Sequence, residues 1–364
     1  VADGNTQFES DDEWAQRCIF WREHFDGSQT RRKRRERRKE PLILSGYGLS
    51  IRIDRGRLII SEGTTHYPSK RIEHAFFKGS LDLPPRIVIV DGAGSITLDA
   101  IDWLTEQDIS LVRIRYDGKV ATAMSPNGFA ADPSKVAWQL ATRNDPIRQL
   151  EFAIETTTGK LKASIETLSE YWVPSKVRDV AIDVAQETLK FIASGDADTL
   201  SKLLGQEGKA AAAYWRAWQS IEMKWKASKR HPIPDSWQKY MSRSSAITGV
   251  KAKNWKADHP NNAMLNYAYA VLLTEVRIQA IAEGYDPNMG ILHDQRHKDK
   301  EQTPSFALDR MEPMRPVADR AVLRLIEEHM FSGADFDLQY NGVVRLNPQL
   351  ARRLVGSVAK FSVS

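Results

Sequence analysis

The sequence predicts an α+β chain in which an N-terminal β-rich domain precedes a larger all-α domain. Three observations carry that expectation. From Pro41 to about Gly128 apolar residues recur in short, often alternating runs separated by turn residues. After Pro133 the spacing changes to the 3.6-residue period of helices. The 364 residues, 41% of them hydrophobic, are enough for about two domains with real cores, which excludes wholesale disorder.

Residues 1–40 read as an acidic, then basic extension with no sustained period. They have the character of a linker, and the absence of an initial Met suggests the tail of an upstream fused domain. In the β-rich domain (41–130), strands are expected at Leu42–Leu44, Leu49–Ile53, Arg57–Ile60 and Arg86–Val90, with Asp54-Arg55-Gly56 as a hairpin turn. A short helix over Thr97–Gln107 and a strand at Leu111–Ile114 follow. Asp91-Gly92-Ala93-Gly94-Ser95 lacks the third glycine of a dinucleotide fingerprint and the Gly-Lys-Ser/Thr of a P-loop, so a tight strand-to-helix turn is the default over a phosphate cradle. Beyond 131, helices are expected over about 134–156, 159–172, 175–193, 197–220, 261–282 and 304–331. A hairpin at 336–346 would turn on Asn341-Gly342 in type I′ geometry.

Charge narrows the function. The net +5 splits into +7 at Arg31–Lys39 and +9 at Lys202–Lys256, leaving −11 for the rest. Segregated basic segments in an acidic chain suit a polyanionic partner, nucleic acid first. The second segment also holds Trp215, Trp218, Trp225, Trp237 and Trp255; basic and aromatic residues interleaved suit phosphate contact and base stacking, although Trp215 and Trp218 are expected in the core. No run approaches the roughly 20 apolar residues of a membrane span. The single cysteine, Cys18, excludes an internal disulfide and a thiolate metal cage, and fits a reducing cytoplasm.

Three clusters carry candidate chemistry. Glu207 lies between Gly205 and Gly208 in a helical pattern, where two glycines each cost about 1 kcal/mol against Ala and ask for close packing as an explanation. His293 closes the apolar patch Gly290-Ile291-Leu292 ahead of a charged loop, 294–301. Thr303-Pro304 reads as a strong helix start, and it sets Asp309 and Glu312 at i and i+3 on one face. Taken singly, these are an exposed acid, a packed histidine and a solvated acidic face. Together, one imidazole and two or three carboxylates without thiols suit Mg²⁺ or Mn²⁺ in phosphoryl transfer.

The blocks Leu-Leu-Gly-Gln-Glu-Gly (203–208) running into Tyr214-Trp215, His259-Pro260-Asn261-Asn262 through Tyr269, Gly284-Tyr285-Asp286-Pro287 leading to Gly290–His293, and Ser305–Pro316 resemble, in order and spacing, the signatures of the CRISPR-associated protein 1 family. The resemblance covers about 41–360. It implies an integrase and endonuclease of CRISPR spacer acquisition, with the β domain serving dimerisation and the α domain catalysis. The implied partners are double-stranded DNA (prespacer and repeat), a second copy of the chain, a dimer of CRISPR-associated protein 2, and a fused or associated reverse transcriptase or nuclease subunit, all in a prokaryotic cytoplasm. By the same resemblance Glu207, His293 and Glu312 are the metal ligands. Asp309 is an accessory acid or the alternative third ligand, and Asn262, Asn266, Tyr267 and Tyr269 line or support the DNA site. Lys224, Lys226, Lys229, Arg230, Lys251, Lys253 and Lys256 are the candidate phosphate contacts. A related transposon-borne integrase, or an inactive DNA-binding scaffold, are the alternative readings of the same blocks.

Overall fold

The structure is a computed structural model that describes residues 12–29, 35–118, 120–124, 131–243, 256–293 and 304–361. It opens with α1 (Glu13–Ser28) and continues into a six-stranded sheet built from β1 (Leu42–Asp54), β2 (Arg57–Ser61), β3 (Glu73–Phe76), β4 (Arg86–Ile96), β5 (Ser110–Ile114) and β6 (Val120–Met124), with α2 (Leu98–Glu106) between β4 and β5. The strand order is β3-β2-β1-β4-β5-β6; β1, β4 and β5 run parallel and the outer pairs are antiparallel.

Alternation decides what each face of the sheet meets. Leu42, Leu44 and Ile87 join Trp103 and Leu104 of α2, while Ile43, Val88, Val90, Val112 and Ile114 belong to the core of the helical part. The expected turn at Asp91–Ser95 is instead a continuation of β4. Its glycines serve strand pairing: a Cβ on Gly92 would lie 2.1 Å from the Gly46 carbonyl oxygen, and one on Gly94 2.0 Å from that of Leu49. The same irregular pairing merges the two short strands expected at 42–53 into β1, with register shifts at Ser45/Gly46 and Tyr47/Leu49.

The helical part comprises α3 (Pro133–Asn144), α4 (Pro146–Tyr171), α5 (Lys176–Ala193), α6 (Leu200–Trp218), α7 (Pro260–Ala282), α8 (Ser305–Met311), α9 (Arg315–Glu328) and α10 (Pro348–Phe361). Two short ladders accompany them: β7 (Lys224–Trp225) pairs with β8 (Met330–Phe331), and β9 (Phe336–Leu338) with β10 (Val344–Leu346). The first predicted helix breaks at Asp145, which caps α4 ahead of Pro146. The last one breaks at Glu312-Pro313 into a 3₁₀ turn. The tail hairpin forms, but only Gly342 takes positive φ in its turn, so the geometry is not type I′.

The reading of 1–40 as a separate extension does not hold for residues 13–28. Helix α1 packs on α10, burying Ala15, Cys18, Trp21 and Phe25. Arg17 donates to both oxygens of buried Asp335 at 2.7 and 2.8 Å, and the Trp21 indole donates to the same carboxylate at 2.6 Å. The sheet is tied to the helices by Arg352 of α10, which donates to Glu62 at 2.8 and 2.9 Å, and by Arg345 of β10, which reaches Asp91 and Tyr47. Among the described residues no helix is long and apolar enough to cross a membrane.

Candidate active site

Helix α4 runs past the start of α6 and the α8–α9 junction, and Gly159 lets it come close: a Cβ there would meet Pro313 at 3.0 Å. The next residue, Lys160, reaches into the gap. Its ammonium donates to Glu207 Oε1 at 2.6 Å and to Glu312 Oε2 at 2.8 Å, so two acids from separate helices converge on one cation. Arg315, the first residue of α9, donates to the other oxygen of Glu312 at 2.7 Å and lies over the Tyr269 ring. Burial pushes the Glu312 carboxyl up, but Arg315 and Lys160 outweigh it and hold it at about 2. Burial likewise opposes charge on Lys160, yet Glu312 and Glu207 raise its pKa above the usual lysine value.

Behind the acids a cavity of about 70 Å³ is lined by Tyr214, Tyr269, Arg315 and Asp319. Both tyrosine hydroxyls donate to Asp319, at 2.7 and 2.6 Å, and burial raises that carboxyl to about 6. Glu207 itself is half-buried, its side chain 20% exposed. Nothing approaches within 4 Å of a Cβ built on Gly205 or Gly208, so the close packing expected to explain these glycines is not there.

Asp309 and Glu312 do not share a face. Helix α8 stops at Met311, and the 3₁₀ turn that follows swings Glu312 toward Lys160 while Asp309 points inward, fully buried. Asp309 accepts the backbone N–H groups of Ile291, Leu292 and His293 at 2.6, 3.0 and 3.1 Å. The His293 ring meets it through Nδ1 at 2.5 Å. A carboxylate used this way is an acceptor only, so Nδ1 carries the proton, and in the neutral ring Nε2 keeps its lone pair. The hydrogen bond to Asp309 also raises the His293 pKa. Asp309 therefore holds the His293 loop, and these four contacts occupy the oxygens that the alternative reading would give to a metal.

Two of the three expected metal ligands thus come together, and the charge of Glu312 reaches the third, His293, adding to the rise of its pKa. Among the described residues, no group of three or more His, Cys, Asp or Glu side chains has metal-holding geometry. The acid pair nonetheless fits a hard cation, since its oxygens already flank one positive charge. Sequence reasoning missed Lys160 and gave Arg315 no role.

The nucleic-acid candidates divide. Lys224, Lys226, Lys229 and Arg230 are exposed around the β7–β8 ladder, at the far ends of α6 and α9. At ~1.5 Å per residue, that is about 15–20 Å from the acids. Asn262, Asn266 and Tyr267 are buried, because α7 is buried on nearly every side, which leaves supporting, of the two expected roles, as the one their position allows. Asn262 accepts from the Tyr240 hydroxyl at 3.0 Å and donates to the Ser242 carbonyl at 2.9 Å, while Asn266 accepts from Arg243 at 2.8 Å. Trp218 and Trp237 are buried and Trp225 stacks on Trp237, so these rings are committed to the core and not to bases. Lys251, Lys253, Trp255, Thr303 and the loop 294–301 lie outside the described residues, whereas Lys256 is described and half-buried.

Comparison with known proteins finds likeness along most of the chain. The family model for CRISPR associated protein Cas1 matches residues 42–360. A CRISPR-associated endonuclease of Pyrobaculum aerophilum is 25% identical over 290 residues, covering 79% of this chain and 83% of its own. A casposase bound to its integration product superimposes with a TM-score of 0.65 at 26% identity, over 88% of this chain and 82% of that one. A Cas6-RT-Cas1–Cas2 complex matches with a TM-score of 0.59 at 19% identity, over 91% of this chain and 33% of that one; this last likeness speaks for the fold alone.

Proposed function

Since the chain belongs to the CRISPR-associated protein Cas1 family, several of whose curated relatives are named endonucleases, we propose that it is a DNA integrase of CRISPR adaptation. It joins the 3′-hydroxyl ends of short DNA fragments to a CRISPR repeat by transesterification, and cleaves DNA when water replaces the hydroxyl. The observation that carries this reading is the convergence of Glu207 and Glu312 on one positive charge beside a histidine held by Asp309. A magnesium or manganese ion held by Glu207, Glu312 and His293 Nε2 would supply Lewis-acid polarisation of a phosphoryl oxygen.

The remaining work falls to side chains. Asp309 keeps the imidazole in the tautomer that leaves Nε2 free. Arg315 fixes one oxygen of Glu312 and so orients the other toward Glu207. Lys224, Lys226, Lys229 and Arg230, with Lys251, Lys253 and Lys256, bind phosphates away from the reacting bond and fix register.

The assembly proposed with this reading is a homodimer through the sheet domains, bound to a dimer of CRISPR-associated protein 2 and acting on double-stranded DNA inside a prokaryotic cell. The casposase likeness favours one competitor, a transposon-borne integrase with the same chemistry. Co-purification with CRISPR-associated protein 2 separates the two. A strand-transfer assay with and without Mn²⁺ tests the chemistry: Glu207→Ala and His293→Ala are each expected to lose roughly 10³-fold in rate while still binding DNA. An active double variant would sink the assignment.

A further inference from the structure

The lysine between the two acids is the feature that the proposed reaction leaves unused. Lys160 is held in the interior of α4, and only its ammonium reaches the acids. Two carboxylates face two cations here, Lys160 and Arg315, so the cluster is neutral as it stands. A divalent ion bound to the same oxygens would add two charges in the space the ammonium fills. Glu312 keeps Arg315 on its other oxygen, whereas Lys160 is the cation shared by both acids.

The two cations also differ in freedom. Arg315 is a planar fork pinned by Glu312 and by the Tyr269 ring, whereas Lys160 is a point charge on a flexible four-carbon stem. Lys160 is part-exposed, its side chain at 24%. When one cation must leave, the lysine is the one able to move without breaking packing.

We propose that Lys160 is a displaceable placeholder: it holds Glu207 and Glu312 together until a divalent cation takes their oxygens, and its ammonium then turns to a phosphoryl oxygen of the bound DNA. The proposal rests on the metal-dependent reading above. Without metal, Lys160 is a positioning residue that prevents the acids from repelling each other. With metal and DNA, it is a catalytic residue that touches the phosphate under attack. No bond is made or broken by Lys160 in either state.

Mn²⁺ binding to the full chain without DNA, followed by titration calorimetry or the spin-resonance signal of free Mn²⁺, tests the first half. Lys160→Met is expected to bind Mn²⁺ about tenfold more tightly than wild type, because the occupied fraction that competes with the ion is gone. The metal-free variant is expected to melt lower than wild type and to gain more from added Mn²⁺. Strand transfer at saturating Mn²⁺ tests the second half, with a rate loss of at least about tenfold expected. Lys160→Gln, which keeps a hydrogen-bond donor, gives the same comparison if the methionine variant does not fold. Mn²⁺ affinity unchanged or weakened in either variant overturns the displacement, and an unchanged rate at saturating Mn²⁺ overturns the contact with DNA. If wild type shows no Mn²⁺ site that Glu207→Gln removes, the metal-dependent reading fails and the displacement falls with it.

Discussion

Glu62, just beyond β2, and Glu312, between α8 and α9, are both carboxyls that burial pushes up and basic neighbours pull down to about 2. Their surroundings differ. Both oxygens of Glu62 are taken by the guanidinium of Arg352, His74 adds a third contact at 2.8 Å, and the group is closed off at 6% exposure. Glu312 splits its oxygens between a fixed guanidinium and an ammonium that it shares with Glu207, and its side chain is 14% exposed. Equal acidity thus comes from a finished contact in one place and an unfinished one in the other. The finished one fixes the sheet to α10; the unfinished one can exchange partners.

The sharpest way to break this comparison is at Glu62. Glu62→Gln leaves Arg352 buried without its counter-charge and is expected to cost about 3 kcal/mol in urea unfolding. Acid has the same effect by titration. Because the folded Glu62 value is lowered, its contribution is fully present above the unfolded value near 4.5 and is lost as pH falls through about 2. A cost below about 1 kcal/mol would make this contact no stronger than a surface ion pair.

Asp309→Asn comes next. It puts an amide N–H among three backbone N–H donors, so the His293 loop loses its hold; Mn²⁺ affinity and strand transfer should fall about 10–100-fold while the melting temperature moves less. Wild-type values for both would mean that the loop holds itself. The smallest effect is expected at Gly205→Ala, which should stabilise the protein by up to ~1 kcal/mol in thermal unfolding, since a Cβ there meets nothing within 4 Å. A lower melting temperature would reveal a neighbour that packs against that face.

Legibility in the sequence followed the range of the interactions. Strands such as β2 and β5 were readable because burial on a sheet leaves an apolar pattern in consecutive residues. The edge strand β3, Glu-His-Ala-Phe, has almost no such pattern, since edge residues need less burial. Helix α10 was readable and overlooked: Leu350, Ala351, Leu354, Val355 and Val358 recur at helical spacing and are all buried. Helix α1 was harder, because Ile19 and Phe20 interrupt the stripe formed by Ala15, Cys18, Trp21 and Phe25. At the site, Glu207, His293 and Glu312 stood out as local clusters, whereas Lys160 acts on acids 47 and 152 positions away and leaves no local trace. The split between Asp309 and Glu312 depended on where α8 ends, which spacing alone does not fix.

The docking of α1 bears on where a foldable unit starts. The family match opens at residue 42, yet the core runs through Trp21 and Phe25, and the counter-ion of Asp335 is Arg17. A polypeptide cut at residue 41 would bare the flank of α10 and leave a buried carboxylate without its guanidinium. For this protein the smallest piece that resembles its relatives is therefore shorter than the smallest piece expected to stay soluble, and recombinant truncations should be drawn upstream of Glu13.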